Sequence, residues 1–129
     1  GIIGLRAALD YIASTGIKEI YQKEQACARR FLAGLEPLGD AVNVLGLPGT
    51  ASSVGIVSLD FQTIDNAEMA CLLDEEYGIM TRCGLHCAPL AHQSLGTYPQ
   101  GTVRFAFGHR TPLEDVDRAV QAIKEIVKG

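Results

Sequence analysis

The feature that most narrows the folds open to this chain is GTVRFAFG, residues 101–108, followed almost at once by a helix start. Val103, Phe105 and Phe107 alternate with Thr102, Arg104 and Ala106, the period-two signature of a strand with one buried face. Thr111-Pro112-Leu113-Glu114 then reads as a capping box with proline at N1. Behind it, Leu113, Val116, Val120, Ile123 and Val127 recur every three or four residues, one apolar stripe of a helix. A strand with one apolar face feeding a helix with one apolar stripe points to a layer of helices packed on a sheet.

The upstream sequence supplies the other layers. Ile2, Leu5, Ala8, Leu9 and Ile12 form a helical stripe over 2–14 that Ser-Thr-Gly interrupts. Ile17, Ile20, Tyr21, Cys27, Phe31 and Leu35 predict a longer helix over 17–35 burying one face, with Gly34 and Pro37 near its end. Residues 42–45 are a short strand candidate, GLPGTASS a turn, and VGIVSLDF a strand with a β-branched centre. Asp65 caps a predicted helix over 66–76, and YGIMTR returns as a short strand. The expected fold is α+β: a small, mostly antiparallel sheet with helices packed on one face, one domain over residues 1–129. There is no internal repeat and no low-complexity tract.

Composition removes several function classes. Hydrophobic residues make up 47% and charged residues 20%, which excludes a disordered chain. The net charge is −4 and the eleven lysines and arginines form no basic run, so neither a nucleic acid nor an anionic membrane is an expected partner. No apolar stretch approaches the roughly 20 residues of a membrane span. Without a secretory signal, a cytoplasmic setting with four free thiols is the expectation. The chain opens at Gly1 directly into an uncapped helical pattern, as expected of a piece cut from a larger protein.

The chemistry is concentrated in RCGLHCAPLAH, residues 82–92. Cys83, His86, Cys87 and His92 are all zinc-ligand types, but Cys-x3-Cys with a histidine after four further residues is not a common zinc spacing. A redox pair would be expected as CxxC rather than CxxxC. A nucleophile is the third reading. Cys27 and Cys71 lie within predicted helices and read as small hydrophobes. Cys87 lies outside any periodic element, beside His86 and five residues from Arg82, and such neighbours favour an attacking thiolate. Arg104 is a charge in the middle of an apolar strand, costly unless it is paired or faces a polar cleft. Its fork suits a carboxylate, while a structural ion pair with Asp or Glu is the plain alternative. Arg82 ends its strand where it can serve the same cleft.

YGIMTRCGLHCAPLAHQSLGT followed by GTVRFAFGHRTPLEDVDRAVQAIKEI resembles the C-terminal part of cysteine desulfurases and selenocysteine lyases. These belong to the class V aminotransferases, a group of fold type I pyridoxal-phosphate enzymes. The family pattern reads approximately R-x-G-x-H-C-A-P, then G-T-x-R-x-S, then N-T-x-x-E-[IV]-D. Arg82, Gly84, His86-Cys87-Ala88 and Arg104 match it in order and spacing, and GIIGLRAALDYIASTGIKEI resembles the segment leading into the small domain. Two positions depart: His109-Arg110-Thr111 where Asn-Thr is common, and Ala106 where a serine is frequent.

The resemblance implies that Cys87 takes the substrate's sulfur as a persulfide and that Arg104 binds the substrate α-carboxylate. Arg82 would border that pocket, and His86 would serve local polarity or proton traffic. It also implies L-cysteine or selenocysteine as substrate, a sulfur-acceptor protein for iron–sulfur cluster or thiocofactor assembly, and a homodimeric full-length enzyme. Pyridoxal phosphate, however, needs a lysine for its Schiff base. Lys18, Lys23, Lys124 and Lys128 all fall on amphipathic helices or at the C-terminus, where they read as solvated faces, and no Gly-rich phosphate turn precedes a helix. The expected molecule is therefore a C-terminal small domain lacking the cofactor domain, with no cofactor bound and no turnover by itself. Its excision predicts an exposed apolar face along Ile2 to Ile12. A noncatalytic sulfur-carrier, zinc-binding or subunit-contact module using the same loop is the alternative.

Overall fold

A computed structural model describes residues 1–46 and 54–129. The predicted GLPGTASS turn, apart from Gly46, lies outside the described residues. The first two helices are α1, Ile2–Thr15, and α2, Ile17–Leu35, separated by Gly16 at φ 90°. A 3₁₀ segment, Glu36–Ala41, leads into β1, Val42–Leu45, and β2 follows at Ile56–Phe61. Then come α3, Asn66–Tyr77; β3, Arg82–Gly84; α4, Pro89–Leu95; β4, Thr102–Ala106; and α5, Leu113–Lys128. The strands form one sheet in the order β1-β2-β4-β3, every pair antiparallel.

The helix-covered face of that sheet holds the core. Val103, Phe105 and Phe107 point into it, as the alternation requires, beside Val57, Leu59 and Phe61 of β2. Phe31 of α2 fills the space between Phe105 and Phe107, at ring-centroid distances of 4.8 and 5.1 Å. Burying a side chain of this size contributes about 1.5–3 kcal/mol. From α5 come Val116, Ala119, Val120, Ala122 and Ile123, and from α3 Met69 and Leu73. Helices α2 and α5 cross so closely that a Cβ on Gly34 would lie 2.7 Å from Val120 Cγ1.

Local chemistry explains most boundaries and three departures from the sequence expectations. Asp65 caps α3 as predicted, one carboxylate oxygen accepting from the amides of Ala67 (2.8 Å) and Glu68 (3.2 Å). The strand expected over YGIMTR is confined to its last residue and the two beyond it. Gly78 ends α3 in the left-handed conformation, and the Ile79 amide is spent on Leu73 O (2.8 Å), so pairing begins only at Arg82. The capping box does not form: Thr111 Oγ1 accepts instead from the Gly108 amide at 3.0 Å, and Pro112 occupies the N-cap. The stripe of α2 is buried only from Gln25 onward, while Ile17 and Tyr21 are exposed.

Helix α1 buries none of its residues, and its apolar stripe, with Ile2 88% and Leu5 62% exposed, covers nothing among the described residues. Its Tyr11 hydroxyl lies 2.7 Å from His109 Nε2. No described helix is long and apolar enough to cross a membrane.

Candidate functional site

The face of the sheet away from the core carries the polar half of the alternation. Register places Ser58 of β2, Arg104 of β4 and Arg82 of β3 in one row, because Ser58 pairs with Arg104 and Arg104 with Arg82. Two guanidinium groups thus stand on adjacent strands at directly opposed positions. Like charges placed this way are destabilising. Among the described residues neither has a carboxylate within ion-pair distance, whereas Arg6, Lys23, Arg30 and Arg118 all do. Asp60, farther along β2, is engaged elsewhere: it accepts from Asn66 Nδ2 (2.8 Å) and Gln62 Nε2 (2.9 Å). The row is left with two cations and no anion.

Beyond β3 the chain turns through Leu85–Ala88, closed by the Ala88 amide donating to Leu85 O at 2.8 Å. In that turn His86 (φ 51°) and Cys87 (φ 61°) are both left-handed, two successive non-glycine residues in a region each enters at a cost of about 1–2 kcal/mol. Cys87 is exposed, and Arg82 Nη2 makes a long donor contact of 4.0 Å to its sulfur. Cys83 falls in register with Val103 and so belongs to the opposite face at the sheet edge. The two thiols of the loop therefore diverge, and among the described residues no three His, Cys, Asp or Glu side chains gather as a metal shell would need. All four cysteines are free; Cys27 is buried as expected, but Cys71 sits on the exposed side of α3 and is no core residue.

His86 folds back over the start of β4. Its Nε2 lies 3.2 Å from Thr102 O and 3.3 Å from Thr102 Oγ1. A carbonyl can only accept, so Nε2 carries the proton and Nδ1 the lone pair. Nδ1 is buried with no hydrogen-bond partner. Burial first, and next the Arg104 charge, hold this imidazole below its usual range despite the Thr102 carbonyl's opposing pull. His92 of α4 lies behind it, ring centroids 5.9 Å apart, buried and with Nδ1 2.7 Å from Thr97 Oγ1.

Close backbone contact fixes the loop to the strand. Gly101 is left-handed at φ 77°, and a Cβ there would sit 2.1 Å from the Gly84 carbonyl carbon and oxygen. Asn66 clamps the same corner: Nδ2 donates to Gly101 O (3.1 Å) and Oδ1 accepts from the Phe61 amide (3.0 Å). The arrangement can hold an anion on Arg104 and Arg82 beside an exposed thiol.

Residues 1–119 match the family description "Aminotransferase class-V". The chain belongs to the aminotransferase class-V family. Within it, a probable cysteine desulfurase of Pseudomonas putida is 36% identical over 127 residues, covering 97% of this chain and 29% of that protein. One from Pyrococcus abyssi is 33% identical over 129 residues, covering 100% of this chain and 31% of the relative. Among solved structures, the apo cysteine desulfurase from Thermococcus onnurineus NA1 superposes with a TM-score of 0.92 at 33% identity, covering 100% of this chain and 31% of that one. The Escherichia coli cysteine desulfurase CsdA, in an S-sulfonic acid form, gives 0.82 at 26% identity, over 99% of this chain and 30% of that one. The chain thus spans about three tenths of the length of these class V relatives.

Pyridoxal phosphate, the cofactor that the family resemblance implies, does not fit the residues present. Lys23 is exposed and paired with Glu19 on α2 (3.1 Å), and Lys18 is exposed on the same helix. Lys124 and Lys128 lie on α5, which packs on the face opposite the arginine row. No lysine of this chain faces that row.

Cys87, His86, Arg82 and Arg104, all singled out by the sequence, converge in space. His92, which the sequence offered only as a zinc-ligand type, completes the surroundings with Thr102, Thr97 and Gly101, which the sequence reading did not place there. Thr102 stood on the polar side of the alternation, where burial to 1% exposure has no local signal. The helix α4 was signalled by Pro89 at its first turn and Gly96 at its end, which the loop reading passed over.

Proposed function

We propose that this chain supplies the sulfur-accepting cysteine and the carboxylate-binding arginine of a pyridoxal-phosphate-dependent cysteine desulfurase. In the reaction, the carbon–sulfur bond of L-cysteine breaks, a sulfur–sulfur bond to Cys87 Sγ forms, and the released carbon takes a proton to give L-alanine. The observation that supports this most directly is the row of two unneutralised guanidiniums beside an exposed thiol in a strained turn. Arg104's planar fork fits an α-carboxylate with two parallel hydrogen bonds. Arg82, donating toward the sulfur of Cys87, keeps that sulfur next to the carboxylate site. Orientation of thiol against substrate is this chain's contribution.

The cofactor lysine belongs to other residues of the working enzyme, a larger cofactor domain to which this one is the C-terminal small domain. The complete enzyme is a homodimer that acts on L-cysteine or selenocysteine in the cytoplasm and passes its persulfide to an acceptor protein for iron–sulfur cluster or thiocofactor assembly.

The test is alanine release from L-cysteine. This chain alone should release no more than its Cys87→Ala variant. The complete, cofactor-loaded enzyme should release alanine and accumulate a persulfide that peptide mass spectrometry maps to Cys87. Wild-type turnover by Cys87→Ala in that enzyme, or a persulfide mapped to Cys83, overturns the proposal.

A further inference from the structure

We infer that Thr102 and the buried His92–Thr97 pair are positioning residues for Cys87: acting through the His86 ring, they hold the left-handed His86–Cys87 step that sets the thiol beside Arg82. The inference rests on Cys87 being the sulfur acceptor, and it gives His86 a role through its Nε2–H.

Two successive left-handed side-chain-bearing residues persist only where the surroundings over-determine them. Three sets of contacts do so here. The Ala88 amide closes the turn on Leu85 O, and the His92 amide, at 3.2 Å from Ala88 O, continues it into α4. On the strand side, the carbonyl and hydroxyl of Thr102 both meet His86 Nε2, with Thr102 only 1% exposed. On the helix side, His92 lies against the His86 ring and is itself fixed by Thr97 Oγ1 at 2.7 Å. Thr97 in turn is tied at both ends of its backbone, its amide to His92 O (2.9 Å) and its carbonyl to the Gly101 amide (2.7 Å). His86 thus sits between a strand and a helix that are themselves linked through Gly101.

The neutrality of His86 suits this task. A protonated ring would need an acceptor for Nδ1–H, which has none, and would add a third cation beside Arg82 and Arg104. A neutral ring holds the turn and leaves the positive charge to the arginines.

The test compares Thr102→Val, Thr102→Ser and the double variant His92→Leu/Thr97→Val, which removes both partners of that hydrogen bond and orphans neither. In this chain, iodoacetamide alkylation of Cys87 is measured relative to Cys71, an exposed thiol on α3. In the complete enzyme, kcat and KM for L-cysteine are measured. The expected result is a Cys87:Cys71 ratio and a kcat each about tenfold lower in Thr102→Val and in the double variant, with KM little changed. Thr102→Ser should restore both.

Leu73→Ala, a core truncation on α3 that touches none of the contacts named for His86, serves as the stability control and should leave the ratio unchanged. The inference is overturned if folded Thr102→Val and the double variant keep the wild-type ratio and kcat, or if Leu73→Ala lowers the ratio equally. Full activity of Cys87→Ala would instead remove the functional reading beneath it.

Discussion

Replacing Arg104 by glutamine separates a charge kept for a ligand from a charge kept for the fold. Arg104 faces Arg82 directly across β4 and β3, and among the described residues no carboxylate lies within ion-pair distance of either. Directly opposed like charges on neighbouring strands cost about 0.2–1 kcal/mol. Glutamine keeps most of the aliphatic stem and removes the repulsion, so Arg104→Gln should stabilise this chain by that amount. For a domain of this size the gain corresponds to a rise in Tm of about 1–5 °C. Binding should move the other way. Losing a bidentate grip on a carboxylate removes hydrogen bonds to charged groups worth about 1.5–3 kcal/mol each. On the proposed role of Arg104, a net loss of about 3 kcal/mol should raise KM for L-cysteine in the complete enzyme roughly a hundredfold. Thermal melts at about 0.05 M and 1 M salt supply the control, since a Debye length of roughly 3 Å at 1 M screens the repulsion and should close the gap. A variant that melts several degrees below wild type at both salts would show that Arg104 has a structural partner, and the argument from an unmatched cation would fail.

Gly101→Ala should cost more than the about 1–2 kcal/mol of a left-handed alanine, because its Cβ would also meet the Gly84 backbone. A urea midpoint within error of wild type would contradict the close approach. His86 has its folded pKa lowered, so the unfolded chain binds its proton first. Its contribution is therefore fully present above about pH 6.5 and is lost as the pH falls from there through the lowered folded value. Melts of wild type and His86→Gln between pH 4 and 8 should converge on the acid side, and parallel curves would refute this. Burial, reinforced by the Glu24 carboxylate, pushes the Cys27 thiol up, so Cys27 should resist alkylation until the chain unfolds. Labelling of Cys27 as fast as Cys83 under native conditions would place it outside the core.

The parts of the fold legible in the sequence were those fixed by local periodicity. The limits of α2, the cap at Asp65 and the two faces of β4 follow from spacing together with local start and stop residues. What the sequence misassigned depended on competition between partners. Thr111 Oγ1 accepts from the Gly108 amide behind it and makes no cap to the start of α5. Ile79 spent its amide on the end of α3 and could not begin a strand. Cys71 sits on a helix whose two sides differ little in polarity, so its exposure had no periodic signal. At the candidate site, residue types singled out Arg82, His86, Cys87, His92 and Arg104, but the contacts of Thr97, Thr102 and His92 with one another and with His86 depend on register and helix packing. Those are long-range facts.

The division of the sheet into two faces explains how such a site is tolerated. The row of opposed arginines and the left-handed turn both cost stability. The opposite face of the same strands carries Val103, Phe105 and Phe107 against Phe31, so β4 is held in place from behind. Because side chains alternate, every backbone hydrogen bond that the core fixes also fixes the spacing of Arg104 from Arg82. The thiol has no such support. Its turn lies beyond the end of β3, where pairing stops at Gly84 with Thr102, and the His86 ring ties it back to β4. The strand contributes rigidity to the arginine row, the proposed carboxylate site, and the His86 ring links the turn that carries the thiol to that strand. A weakened core should therefore change stability before it changes the geometry between thiol and arginine, while a weakened Thr102–His86 contact should do the reverse.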